Sequence, residues 1–122
     1  MNLSFLKKPF VFFCAATVFF CGCLHMPARH NFGSYSNAEK FYAEGKYEKA
    51  IESYQKYIDE QPEGNLAIIS QYYIAKSHVA LKHNKEAKSG FEGIVQQHPE
   101  LIWAELSKEQ LKTLEVDAAK SA

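Results

Sequence analysis

From residue 36 onward, apolar residues recur at spacings of three and four, broken at intervals by Gly, Pro or short polar runs. That period belongs to helices with one buried face. Ser36-Asn37-Ala38-Glu39 has the form of a capping box, so a short helix is expected from Ser36 to Glu44, with Gly45 ending it. Tyr47 to about Gln61 reads as a second helix, with Tyr47, Ala50, Ile51, Tyr54, Tyr57 and Ile58 on its apolar side and Pro62 and Gly64 stopping it. Asn65 is placed to cap a third helix to Leu81, and Asn84 a fourth to about Gln97, with Ala87, Phe91, Ile94 and Val95 on one face. Gly90 and Gly93 cost that helix about 1 kcal/mol each relative to Ala, unless they let a neighbouring helix come close. Pro99 suits the first turn of a fifth helix to residue 115, striped by Ile102, Leu106, Leu111 and Leu114. Residues 116–122 show no reason to be ordered. No segment alternates with a period of two, so the expected fold class is all-α.

Residues 1–24 have a different character. Lys7 and Lys8 precede an uncharged apolar run from Phe10 to Phe20, and Phe20-Cys21-Gly22-Cys23 follows. This is the layout of an export signal, and its end resembles a bacterial lipobox, with Cys23 in the lipidated position, Gly22 before it and Phe20 where an aliphatic residue is usual. The competing reading is an uncleaved anchor, but Phe10 to Leu24 spans only about 22 Å as a helix against a hydrocarbon core of about 30 Å. The expected layout is a signal peptide over 1–22, the lipidated Cys and a tether over 23–35, a folded domain over 36–115 and a tail over 116–122. Pro27 and Gly33 interrupt the tether, which reaches at most about 40 Å when extended.

Charge narrows the partners. The chain has 122 residues, with 14 Lys and Arg against 14 Asp and Glu, a balance unlike that of a nucleic-acid binder. Removing Lys7 and Lys8 with the signal leaves a net charge of −2, which offers no attraction to anionic lipid, so membrane attachment would rest on acyl chains. Cleavage before Cys23 also removes Cys14 and Cys21, leaving one cysteine and no intrachain disulfide.

The second and fourth helices resemble each other at an offset of 37 residues: Ala50 pairs with Ala87, Tyr54 with Phe91, Tyr57 with Ile94 and Pro62 with Pro99. Paired helices at such a period mark a helical solenoid, and the pattern resembles the tetratricopeptide repeat (TPR) family. Gly45, Ala50, Tyr54 and Pro62 fit its second-helix pattern; in the later copy Lys82 stands at the Gly position and Asn84 at an aromatic one. Ala38 and Ala75 take the small position of the first helices. The offset is longer than the usual period, as in TPR lipoproteins of the bacterial envelope such as the outer-membrane β-barrel assembly lipoprotein and in the Tol–Pal-associated division protein. The resemblance implies repeats over about 36–62 and 66–99 with a capping helix over 100–115, and packing roles for Gly45, Ala50, Tyr54, Ala87 and Phe91. It also implies a groove lined by the first helix of each pair. By helix register that groove takes Glu39 and Tyr42 from one pair and Ile69, Tyr72, Lys76 and Val79 from the other, a mixed aromatic and charged surface suited to a peptide.

Chemistry-bearing motifs are sparse. His25, His30, His78, His83 and His98 are scattered, and His78 and His83 do not share a helix face. Asp59 and Glu60 are adjacent and point in different directions. No G-x-S-x-G, H-E-x-x-H or P-loop pattern occurs. No enzyme, cofactor or metal site is expected. The expected function is a lipid-anchored adaptor on the periplasmic side of the outer membrane that binds another envelope protein and no nucleic acid. The alternative is a structural lipoprotein that associates with its own copies.

Overall fold

A computed structural model describes residues 32–122. The expected signal peptide, Cys23, His25, His30 and most of the expected tether lie outside the described residues. Five α-helices follow one another: α1 (Gly33–Ala43), α2 (Tyr47–Glu60), α3 (Asn65–Ala80), α4 (Asn84–Gln97) and α5 (Ile102–Ser121). Each packs on the next, and α3 also touches α5. Ring contacts link α1 to α3 and α3 to α5. The helices therefore form two layers, α1, α3 and α5 in one and α2 and α4 in the other.

The two pairs close through the same backbone turn. After α1, the Gly45 N–H donates to Tyr42 O and the Lys46 N–H to Phe41 O. After α3, 37 residues later, the Lys82 N–H donates to Val79 O and the His83 N–H to His78 O. These are Schellman turns, which need a left-handed residue at the position just past the helix. Gly45 has φ +72° and Lys82 has φ +63°. The equivalent positions inside the pairs are equally consistent: Ala38, Ala50, Tyr54, Ala75, Ala87, Phe91 and Ile94 are buried, none more than 1% exposed. Gly90 sits where α4 crosses α3, and a Cβ there would lie 2.9 Å from Ala75 Cβ; a Cβ on Gly93 would meet nothing. Close approach therefore accounts for one glycine of α4 and not for the other.

Several boundaries differ from the sequence reading. Ser36 does not cap α1. The helix starts at Gly33, with Ser36 exposed within it, because Ser34 and Tyr35 have partners far along the chain. The Ser34 hydroxyl donates to Glu60 Oε2 at 3.1 Å, and the Tyr35 ring meets the edges or faces of Tyr54 at 5.8 Å and Tyr57 at 5.4 Å. Asn65 and Asn84 likewise lie inside α3 and α4, and none of the five helices has a side-chain N-cap hydrogen bond.

α5 starts at Ile102, after Pro99 and an extended Leu101, so Pro99 is not in its first turn. Ile102 is 65% exposed and drops out of the expected stripe. Ala104 and Ser107 are buried in its place, and Leu101, Trp103, Leu106, Leu111 and Leu114 pack on the cluster of Ile68, Tyr72, Ala75, Ala87, Phe91 and Ile94. The helix also runs on to Ser121, through the tail expected to lack order. Ala118 there continues the line of Leu111 and Leu114 against the start of α4, and alanines favour helix. Buried Ser107 Oγ has no hydrogen-bond partner among the described residues, whereas buried Ser70 and Ser77 donate to Leu66 O and Tyr73 O, each at 2.7 Å.

Candidate protein-binding face

Residues three, four and seven apart share a face of a helix. On α3, Ile69, Tyr73 and Lys76 stand on one side at those spacings, half-exposed, while Ala67, Ile68, Ala75 and Ser77 are buried against α2 and α4. The α1–α3–α5 layer is thus open along the middle of α3. A line of rings crosses it. Tyr42 of α1 meets Tyr73 at 5.0 Å, Tyr73 meets Tyr72 at 5.7 Å, and Tyr72 meets Trp103 of α5 at 5.2 Å. Tyr47 stands beside Tyr42 at 5.5 Å, and Tyr54 stacks on Tyr73 from below at 5.8 Å.

Of the six residues expected in the groove, Glu39 is exposed on α1, and Tyr42, Ile69 and Lys76 are half-exposed on the open layer. Tyr72 is a correction. It is 7% exposed, wedged among Tyr73, Phe91 and Trp103, because α5 folds back over it. Val79 is half-buried and packs against the same cluster. Tyr73 and Trp103 were missed and are half-exposed in the ridge. The signal for Tyr73 was its spacing of four from Ile69; nothing local marks Trp103, which reaches the ridge only through the α3–α5 contact.

The electrostatics of this face are those of buried hydroxyls. Burial is the largest cause holding the Tyr35, Tyr42, Tyr54 and Tyr72 hydroxyls above their ordinary pKa. For Tyr35 the Glu39 carboxylate adds to it by charge and hydrogen bonding, so Glu39 already has a neighbour on its own helix. At neutral pH the ridge is uncharged; Glu39 stands on α1 and Lys76 on α3, and the Glu109 carboxylate of α5 adds to the raised Tyr72 pKa.

His78 and His83 stand on either side of the turn after α3 and share no helix face. The chain reverses at Lys82, and this brings the His78 and His83 rings together with their Nδ1 atoms 3.5 Å apart. Burial, then His83, lower the His78 pKa, with Glu86 opposing. Among the described residues no group of three or more His, Cys, Asp or Glu is placed to hold a metal ion. No helix among them is long and apolar enough to cross a membrane.

A tetratricopeptide repeat family model matches residues 38–64 and 70–100. The two helix pairs are a TPR-like solenoid. The matched segments take in most of both pairs and leave out the first turns of α1 and α3 and the whole of α5. TPR repeats point to a protein–protein interaction module. No curated protein matches the chain. In the TPR-like domain the ridge of Tyr42, Tyr73, Tyr72 and Trp103 lies on the layer formed by the first helix of each pair and by α5.

Proposed function

We propose that this chain is a lipid-anchored, non-enzymatic adaptor of the bacterial envelope whose TPR-like domain holds an apolar peptide or helix of another envelope protein on its α1–α3–α5 layer. The observation that carries the binding role is the aromatic ridge. Large rings held rigid by their neighbours present area to a partner at little entropic cost, and such anchors dominate interfaces. Glu39 and Lys76 flank the ridge and would orient the partner by charge while contributing less affinity at a wet rim. The anchor and the location rest on the sequence alone: Lys7 and Lys8, the apolar run to Phe20, and Gly22-Cys23. By the usual sorting rule Leu24 after the Cys favours the outer membrane, with the domain facing the periplasm.

The test is a photo-reactive side chain at Ile69 in intact cells. A single heavier adduct with another envelope protein is expected, and Tyr42→Ala should weaken it at least tenfold at a temperature well below the melting of the variant, which loses the ring contacts with Tyr47 and Tyr73. Absence of an adduct, or an adduct indifferent to Tyr42→Ala, removes the groove. Tyr72 is unsuited to this test because its loss would open the core. In the same cells Cys23→Ser should release or strand the precursor; unchanged fractionation and migration would reject the lipoprotein reading without touching the groove.

A further inference from the structure

α5 buries Ala104 and Ser107, and its half-buried Leu111 and Leu114 line the start of α4. Its opposite face carries Ile102, Glu105, Glu109, Lys112 and Val116, all exposed. Two of these are among the few large hydrophobic side chains left in water: Ile102 is 65% and Val116 50% exposed. They stand two heptads apart on this face, roughly 21 Å along the helix axis. Between them the charges are ordered, with Glu105 and Glu109 toward the helix start and Lys112 toward its end. Lys108 lies at the edge of the same strip, paired with Glu105 at 2.6 Å.

This order is self-complementary. If two α5 helices run antiparallel about a two-fold axis near Lys108 and Glu109, Glu105 of each copy faces Lys112 of the other. Glu109 of each comes beside Lys108 of the other, and Ile102 of each falls beside Val116 of the other. One operation therefore matches every acid with a base and covers both exposed apolar side chains twice. A parallel pairing in register places like charges opposite each other at every step. Isologous contacts of this kind require one patch to be its own partner, and acids and bases segregated along the strip let antiparallel helices meet that requirement.

We infer that the outer face of α5 is a homodimer interface, in which a second copy of this chain docks its own α5 antiparallel across residues 102–116. The strip shares no residue with the ridge, although the Glu109 carboxylate acts by charge on the Tyr72 hydroxyl. It stands whether or not the ridge binds a peptide.

The experiment uses the full-length chain in its host cells. Glu109→Cys places a thiol close to the two-fold axis, where paired helices bring Cα atoms within the 4.4–6.8 Å that a disulfide accepts. Mild oxidant should then trap a species of twice the mass, absent from the wild-type chain with its own cysteines. Adding Glu105→Lys should reduce the trapped fraction at least fivefold, and so should Lys112→Glu. Combining Glu105→Lys with Lys112→Glu should restore it, since each reversed charge then faces its reversed partner. All of these residues are exposed, and melting curves should coincide. No trapped dimer, trapping of a different protein, or a double reversal that fails to rescue would each overturn the inference.

Discussion

Gly45 and Lys82 hold the same place in the two turns of the solenoid, one with φ +72° and the other with φ +63°. The first pair uses the residue that enters this region freely; the second uses one whose Cβ is strained there by about 1–2 kcal/mol. The pairs differ in filling as well. Around α1 and α2 the core is Tyr54 with Tyr35, Tyr42 and Tyr73 packed on it. Around α4 it is Phe91 and Ile94 with Ile68 and a single buried tyrosine, Tyr72, from α3, and Gly90 lets α3 come close. One backbone plan thus tolerates two chemistries, because what repeats is the position of the small residues and the turn, while the larger side chains fill whatever space remains.

Alkali should separate the two chemistries most strongly. Burial raises the Tyr35 and Tyr54 pKa values well above the ordinary value of 10. A raised tyrosine pKa means that the folded state keeps a proton the unfolded chain gives up. Their contribution is therefore complete below pH about 10 and is lost as pH climbs above it. Tyrosine absorbance followed with helicity should show part of the seven tyrosines titrating only as helix is lost. Titration of all of them near pH 10 with helicity intact would contradict the packing described for the first pair.

Overpacking comes next. Ala50→Leu and Ala87→Leu should each lower stability by about 1–3 kcal/mol, since both side chains are fully buried. Lys49→Leu, exposed beside Ala50, should stay within about 0.5 kcal/mol. Chemical denaturation reads all three. Equal tolerance at Ala50 and Lys49 would mean that the two pairs do not share the small-residue position.

The glycines of α4 should move stability in opposite directions. Gly93→Ala gains helix propensity without a steric penalty and should stabilise by about 0.5–1 kcal/mol. Gly90→Ala must push against Ala75 at 2.9 Å and should destabilise by about 1 kcal/mol net of the same propensity gain. If both variants were stabilised, the approach of α3 and α4 would be looser than described.

Lys82→Gly should give an effect as small as that of Gly93→Ala. It relieves the left-handed strain but loosens the unfolded chain, for a net gain of about 0.5–1 kcal/mol. Gly45→Lys should lose a similar amount. A stabilising Gly45→Lys would break the equivalence of the two turns.

The helices and their pairing were legible because the offset of 37 residues survives in small residues and prolines, which act locally. What was not legible depended on distant neighbours. Ser36 has a good capping sequence, yet contacts of Ser34 with Glu60 and of Tyr35 with Tyr54 and Tyr57 carry the helix past it. Tyr72 and Tyr73 are adjacent, and helical register alone leaves the open one undecided. Trp103, from a helix that starts some thirty residues later, covers the first and leaves the second in the ridge. The His78–His83 approach was hidden for the same reason, since helical spacing does not describe two residues on either side of a reversal.

The ridge also gives the molecule an optical property. The chain has seven tyrosines and one tryptophan, and Trp103 touches Tyr72, from which ring contacts run back through Tyr73 to Tyr42 and Tyr54. Light absorbed by the tyrosines passes readily to a nearby indole, which emits at longer wavelength. Emission from Trp103 under tyrosine excitation therefore reports, without any label, whether α1, α3 and α5 remain in register.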